Sequence, residues 1–293
     1  MKRVLSLHKP YTSLPLIFDS PHSGTYYPAD FGYACDFSIL KTAEDHFVDD
    51  LFSTAPEHGA TLLCAEFPRS YIDPNRAVDD IDPELLEHKT WTGPTPIAPT
   101  PRSHAGIGLI RRLVRPGLPV YDRPLSTEDI SDRITKYYTP YHTALAEEIA
   151  DLHYTFGAVW HINCHAMPHA TAYPKNHIGL AGHKPKAADF TLGDRDGTSC
   201  SHEFTQVLRH FLQQKGYTVT VNDPFKGAEL IQRYANPALG YHALQIEINK
   251  ALYMDEETGA RSARYPALKA DIVDLMVFCA AFVRARLIPL AAD

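Results

Sequence analysis

Cysteine is sparse in this sequence, and the few present are not placed for structural chemistry. Five of the 293 residues are cysteine, at 35, 64, 164, 200 and 279, with no CxxC pair. An odd number at wide spacing argues against a disulfide framework and a thiolate zinc knot. Long apolar runs are also missing. The start, Met1-Lys2-Arg3-Val4-Leu5-Ser6-Leu7-His8, is basic but leads into no apolar core, and no stretch is long enough to span a bilayer. We therefore expect no membrane partner and a cytoplasmic location. Basic runs are absent too. Lys and Arg number 28 against 35 Asp and Glu, a net charge of −7, so nucleic acid is not an expected partner. The sequence also lacks a self-sufficient metallohydrolase signature such as HExxH.

What is present is ordinary globular material. Apolar residues make up 44% and charged residues 22%, enough to bury a two-faced sheet. The length suits one large domain or two small ones, and we expect a single domain over 1–293. Short apolar runs alternate with helical patterns, which predicts an α/β fold: a mixed, mainly parallel central sheet flanked by helices. Sixteen histidines are present, and only those at element ends merit attention.

The organising stretch is 158–168, a short apolar strand with His165 where the strand should stop. In α/β sheets the carboxyl end of a strand is where ligands and catalytic groups collect. Residues 15–19 repeat the arrangement, because that buried strand runs into Ser20-Pro21-His22-Ser23-Gly24. His22 is thus placed like a ligand, although a loop histidine capping a helix has the same pattern. Thr42 reads as the N-cap of a helix through Phe52, with Phe47, Val48, Leu51 and Phe52 at helical spacing. Acidic residues in a first turn usually compensate the helix dipole. One of them can instead face a metal, with Asp45 the best candidate and Glu44 or His46 the rivals.

Residues 60–65 form another strand, leading to Arg69 and Arg76 on either side of an Asp-Pro turn. Guanidinium groups on a tight loop suit bidentate capture of a carboxylate, and a surface salt-bridge pair is the plainer alternative. Residues 77–106 read as a long irregular loop, 108–110 and 119–121 as a hairpin, and 126–155 as a helix kinked at Pro140. Further strands are expected at 189–192 and 218–222. Helices are expected at 201–216 and 263–287, with a loop and short helix at 225–234. At 242–249, Leu244, Ile246 and Ile248 alternate with Gln245, Glu247 and Asn249. A carboxylate on a covered face is costly unless it works or is paired, so Glu247 is a candidate catalytic group. Cys164 reads as a small buried residue, since a nucleophile needs an activating base and an electropositive pocket.

Two histidines and a carboxylate, with one open position, form the ligand set expected of hydrolytic zinc. A glutamate nearby can then deprotonate water and pass the proton to a leaving amine. Arg69 and Arg76 would hold substrate carboxylates and polarise the carbonyl.

Six segments together resemble the N-formylglutamate amidohydrolase family. They are Asp-Ser-Pro-His-Ser-Gly (19–24), Glu-Asp-x-x-Val-Asp-x-Leu (44–51) and Arg-x-Tyr-x-Asp-x-Asn-Arg (69–76), followed by Asn-Cys-His-Ala-Met-Pro (163–168), Gly-Asp-x-x-Gly-Thr-Ser-Cys (193–200) and Leu-Gln-Ile-Glu-Ile-Asn-Lys-x-Leu-Tyr-Met-Asp-Glu (244–256). The match covers most of the chain in the family's order. The resemblance implies a distant relative of the zinc carboxypeptidases, with zinc on His22, Asp45 and His165 and Glu247 as base. It also implies that Arg69 polarises the carbonyl, while Asn75 and Arg76 bind a substrate carboxylate. The carboxypeptidases take their acidic ligand three residues after the first histidine, and Thr25 stands there, so the acid must come from elsewhere. Ala166 and Lys250 replace a usual serine and arginine.

The expected activity is release of formate and L-glutamate from N-formyl-L-glutamate in histidine breakdown, with Arg76 and Arg233 gripping the two carboxylates. The rivals are hydrolysis of another N-acyl amino acid or small peptide, and a metal-free dicarboxylate-binding module.

Overall fold

Alternating apolar and polar residues decide the architecture, because each strand must bury one face and place its polar side chains on the other. The computed structural model describes residues 4–175 and 186–287, so residues 1–3 of the basic start lie outside the described residues. The strands are β1 (Leu5–His8), β2 (Leu16–Ser20), β3 (Thr61–Ala65), β4 (Leu113–Arg115), β5 (Leu118–Pro119), β6 (Val159–Met167), β7 (Phe190–Gly193), β8 (Val219–Val221) and β9 (Tyr241–Asn249). The helices are α1 (Phe37–Lys41), α2 (Val48–Leu51), α3 (Pro101–His104), α4 (Thr127–Arg133), α5 (Thr139–Phe156), α6 (His202–Gln214), α7 (Glu229–Tyr234) and α8 (Tyr265–Arg284).

Seven strands form one sheet in the order β1-β3-β2-β6-β9-β7-β8. The β2/β6, β6/β9 and β7/β8 pairs are parallel, whereas β7 meets β9 antiparallel. The expected α/β class and mainly parallel sheet are therefore present. The chain divides into two compact units. The first gathers Pro21–Asp45 and Cys64–Leu145 with the first few residues, and the second holds Leu7–Ser20, His46–Leu63 and the remainder.

In the second unit the register sorts the sheet into two chemically different faces. Asp19, Asn163 and Gln245 are aligned neighbours across β2, β6 and β9, and His165, Glu247 and Thr191 are aligned across β6, β9 and β7. The alternate positions carry Phe18, Ile162, Leu244, Cys164, Ile246 and Leu192, all buried. On this apolar face Phe18 stacks on Phe52 with ring centroids 5.4 Å apart, and Trp160 meets Phe282 of α8 edge-on at 6.2 Å. Cys164 belongs to the apolar face, as its small buried reading anticipated.

The first unit is mostly loops and short helices. Ser126 and Asp129 close a reciprocal capping box that starts α4, as the sequence predicts. The expected helix is present as three abutting segments, with its irregularity just before Pro140: α4, a π-helical turn over Ile134–Tyr138, and α5. Pro140 lies at the start of α5, where the helix renews itself after the π turn, consistent with its lack of a backbone donor. The helix expected over 42–52 is also corrected. Thr42 is the C-cap of α1 rather than an N-cap, and α2 begins only at Val48. Phe47 adopts φ 65°, a left-handed conformation that a continuous helix cannot contain. Asp45 therefore lies on the connection between two short helices, not in a first turn.

Candidate active site

In the first unit, four charged or imidazole groups from three loops interlock. His22 follows β2, and Gly24 keeps its loop close to the chain after β3. A Cβ on Gly24 would lie 2.3 Å from Phe67 O, so any side chain would collide with backbone there. The Asp45 amide donates to His22 O at 3.0 Å, and Ser23 Oγ donates to Asp45 O at 2.9 Å. These bonds fix the two candidate ligands relative to each other. His22 Nε2 lies 2.7 Å from Asp73 Oδ1, and its Nδ1 lies 3.3 Å from Asp45 Oδ2.

Both ring nitrogens thus meet a buried carboxylate, and the shorter contact is the one to Asp73. With a metal ion bound, an Nε2–H donating to Asp73 would leave the Nδ1 lone pair as the ligand on the Asp45 side. A separation of 3.3 Å suits two ligands of one tetrahedral ion, since bonds of about 2.0–2.1 Å imply an edge of about 3.4 Å. A carboxylate behind a ligating imidazole is the usual support for such a group.

Asp73 is the hub. It is fully buried and also accepts from Asn75 N at 2.9 Å and from Arg69 Nη2 at 2.8 Å and Nε at 3.2 Å. Burial alone would raise its pKa, but the charges of Arg69, His22 and Arg76 hold it well below the usual carboxylate range. Arg69 also reaches toward Asp45 Oδ1 at 3.6 Å. Arg76 donates to the carbonyls of Ile107 and Asn75 at 3.1 and 2.8 Å, and burial pushes its pKa down to about 10. Of the rivals to Asp45, Glu44 accepts a hydrogen bond from the Tyr27 hydroxyl at 2.5 Å.

In the second unit, the polar face of the sheet orients His165. Its Nε2 lies 2.6 Å from Asn163 Oδ1, and Asn163 Nδ2 donates to both carboxylate oxygens of Asp19, at 2.9 and 3.1 Å. The amide oxygen can only accept, so the Asn163 orientation that satisfies Asp19 also places the proton on Nε2 of His165. The strand runs two residues past His165, so this histidine sits within the strand rather than at its end. Glu247 is the aligned partner of His165 on β9 and accepts from Gln245 Nε2 at 2.8 Å. Arg233 lies exposed on α7, its Nε paired with Glu229 at 2.8 Å.

The structure thus gathers His22, Asp45, Arg69, Asn75 and Arg76 in one unit and aligns His165 with Glu247 in the other. His22, Asp45 and His165 are each buried, and each offers one atom that a metal ion could take. Sequence reasoning missed Asp73, Asn163 and Asp19 as supports. The Asp-Pro turn hid the first, but the second had a readable signal. His161, Asn163 and His165 alternate with the apolar Ile162 and Cys164, a strand-period polar row.

Buried imidazoles and carboxylates, in a protein built on a mixed, mainly parallel sheet, are the chemistry of an α/β enzyme. The comparisons with known proteins narrow it. The family model described as N-formylglutamate amidohydrolase matches residues 14–254, and the chain belongs to that family. It is 30% identical to an N-formylglutamate deformylase of Pseudomonas aeruginosa over 98% of this chain and 99% of that one. An N-formylglutamate deformylase of Pseudomonas putida is 28% identical over 87% of each chain. The crystal structure of an N-formylglutamate amidohydrolase from Ralstonia eutropha JMP134 superposes with a TM-score of 0.89 at 45% identity, covering 96% of this chain and 98% of that one.

Proposed function

We propose that this chain is a zinc-dependent enzyme that hydrolyses N-formyl-L-glutamate to formate and L-glutamate in histidine degradation, acting in the cytoplasm as a single catalytic domain. The relatives named N-formylglutamate deformylase support the substrate, through identity that runs the length of the chain. The observation that carries the metal is the placement of His22, with Asp73 at 2.7 Å from Nε2 and Asp45 at 3.3 Å from Nδ1. His22, Asp45 and His165 are the ligands in this reading. A divalent ion held by them would supply Lewis acidity and would lower the pKa of a water molecule there.

The other roles belong to the chain's own side chains. Glu247 takes a proton from the attacking water and delivers it to the amine nitrogen as the C–N bond breaks. Arg69 stabilises the negative charge that develops on the formyl oxygen. Asn75 and Arg76 hold one substrate carboxylate and Arg233 the other. Formate release from a panel of N-formyl and N-acetyl amino acids, with and without chelator, tests the whole reading. Turnover confined to N-formyl-L-glutamate and abolished by chelation is expected. Chelator-resistant turnover, or a protein without stoichiometric zinc, removes the metal. Glu247→Gln should abolish formate release while zinc stays bound, and retained activity would end the assignment of Glu247.

A further inference from the structure

Residues 107–111 are pinned to the Asp73–Arg76 turn at two points. The Asp73 amide donates to Leu109 O at 2.8 Å, and Arg76 Nε donates to Ile107 O at 3.1 Å. Arg111 then pairs back across Ile107 in an isolated antiparallel bridge, so its backbone is fixed against the same turn. The next residue, Arg112, has protein partners: its Nε donates to Asp82 Oδ2 at 2.6 Å. Arg111 differs. Its Nε is buried and has no hydrogen-bond partner, whereas Arg69 is held by Asp73, and Arg76 by two backbone carbonyls.

Arg111 also belongs to the charged cluster, since the charges of Arg69, Asp73, Arg76 and Asp45 all act on it. Burial, followed by the charge of Arg69, pushes its pKa down to about 9, which leaves it a cation at neutral pH. Asp45 and Asp73 are the acidic groups that act on Arg111, alongside the like charges of Arg69 and Arg76. A guanidinium with a buried, unsatisfied Nε–H edge is costly unless an acceptor meets it. The acceptor that matches that edge is a carboxylate, taken side-on through two parallel N–H bonds.

We propose that Arg111 binds a carboxylate of the substrate through its Nε edge and thereby selects dicarboxylic N-acyl amino acids. The inference rests on the amidohydrolase reading for its substrate, and not for the binding chemistry. The test uses the zinc-loaded full chain, as wild type, Arg111→Gln and Arg111→Lys. Glutarate binding is measured by calorimetry, and kcat/KM is measured for N-formyl-L-glutamate and for its two monoamides, amidated at the α or the γ carboxylate. Arg111→Gln should weaken glutarate about 30-fold or more and lower kcat/KM for N-formyl-L-glutamate similarly. One monoamide, the one lacking the carboxylate that Arg111 holds, should change by less than about threefold. Arg111→Lys keeps the charge but loses the fork, and should weaken glutarate by about tenfold. If Arg111→Gln does not fold, Arg111→Lys is judged by the same selectivity pattern.

Equal loss on all three substrates, unchanged glutarate binding in both variants, or no glutarate binding by wild type would each overturn the proposal. Wild type that binds glutarate yet releases no formate would sink the amidohydrolase reading alone, and the calorimetry would still decide Arg111.

Discussion

The two units orient an imidazole by opposite means. In the first, His22 sits on a loop, and its Nε2 is held by the buried carboxylate of Asp73, itself anchored by Arg69 and the Asn75 amide. In the second, His165 sits in a nine-residue strand, and a neutral amide, Asn163, holds its Nε2. Register explains the contrast. On a strand, ladder bonds fix the backbone and the period of two fixes the face, so one amide suffices to set the ring. A loop has no ladder, and its side chain must be fixed by charge and by backbone pins. The first unit's contribution is therefore expensive to disturb, and the second's is cheap.

The largest effect should follow from Asp73→Asn. It leaves Arg69 and Arg76 without their buried counter-charge, a change of the kind that costs about 3–5 kcal/mol. Urea unfolding at neutral pH measures it. The variant should also lose about 10–100-fold in zinc affinity, read by chelator competition, because the support behind His22 is weakened. A loss below about 1 kcal/mol would mean that the loop is held by something other than its charges.

Asn163→Ala is the matched change in the sheet. It removes one amide and leaves Asp19 with His161 Nε2 at 2.6 Å as a remaining partner, so the stability cost should be about 1–3 kcal/mol. Zinc affinity should fall into the same 10–100-fold range, because His165 loses its orienting acceptor. The pair separates stability from ligand orientation. If Asn163→Ala destabilises the protein more than Asp73→Asn, the contrast between strand and loop fails.

The same contrast explains what was legible in the sequence. Strand residues carried readable patterns: β2, β3, β6 and β9 fall close to the runs at 15–19, 60–65, 158–168 and 242–249. His22 and His165 could be singled out because apolar runs stop beside them and Glu247 because of alternation, although β6 continues two residues past His165. Loop residues had no such code. Asp73 reads locally as half of an Asp-Pro turn, and only the fold brings it to His22, 51 positions away. Arg111 is hidden in the same way, since its partnerless edge is a property of the packed loop. The 42–52 helix misled because Phe47 supplies correct apolar spacing while its backbone turns left-handed, with Arg261 4.6 Å over its ring. Tertiary contacts within that unit override the local pattern.

A smaller effect is expected at Cys164, on the apolar face of β6. Cys164→Ala removes one buried sulfur atom and should cost about 1 kcal/mol, with kcat/KM unchanged. Alkylating agents should likewise leave formate release intact. Inactivation of the wild type but not of the alanine variant would revive a cysteine hydrolase and break the division of the sheet into a chemical and a packing face.

The smallest stability change belongs to Arg233→Ala. Arg233 and Arg76 are assigned the same task, yet Arg76 is buried among carbonyls and Arg233 is exposed in an i,i+4 pair with Glu229. An exposed pair of that kind contributes about 0.3–0.5 kcal/mol at most once solvent screening is allowed for. Thermal unfolding should therefore hardly move. Kinetics can then be read without a folding correction. If Arg233 grips a carboxylate equally in ground and transition states, KM for N-formyl-L-glutamate rises while kcat holds. An unchanged KM would remove Arg233 from the binding set and leave carboxylate recognition to the arginines of the first unit.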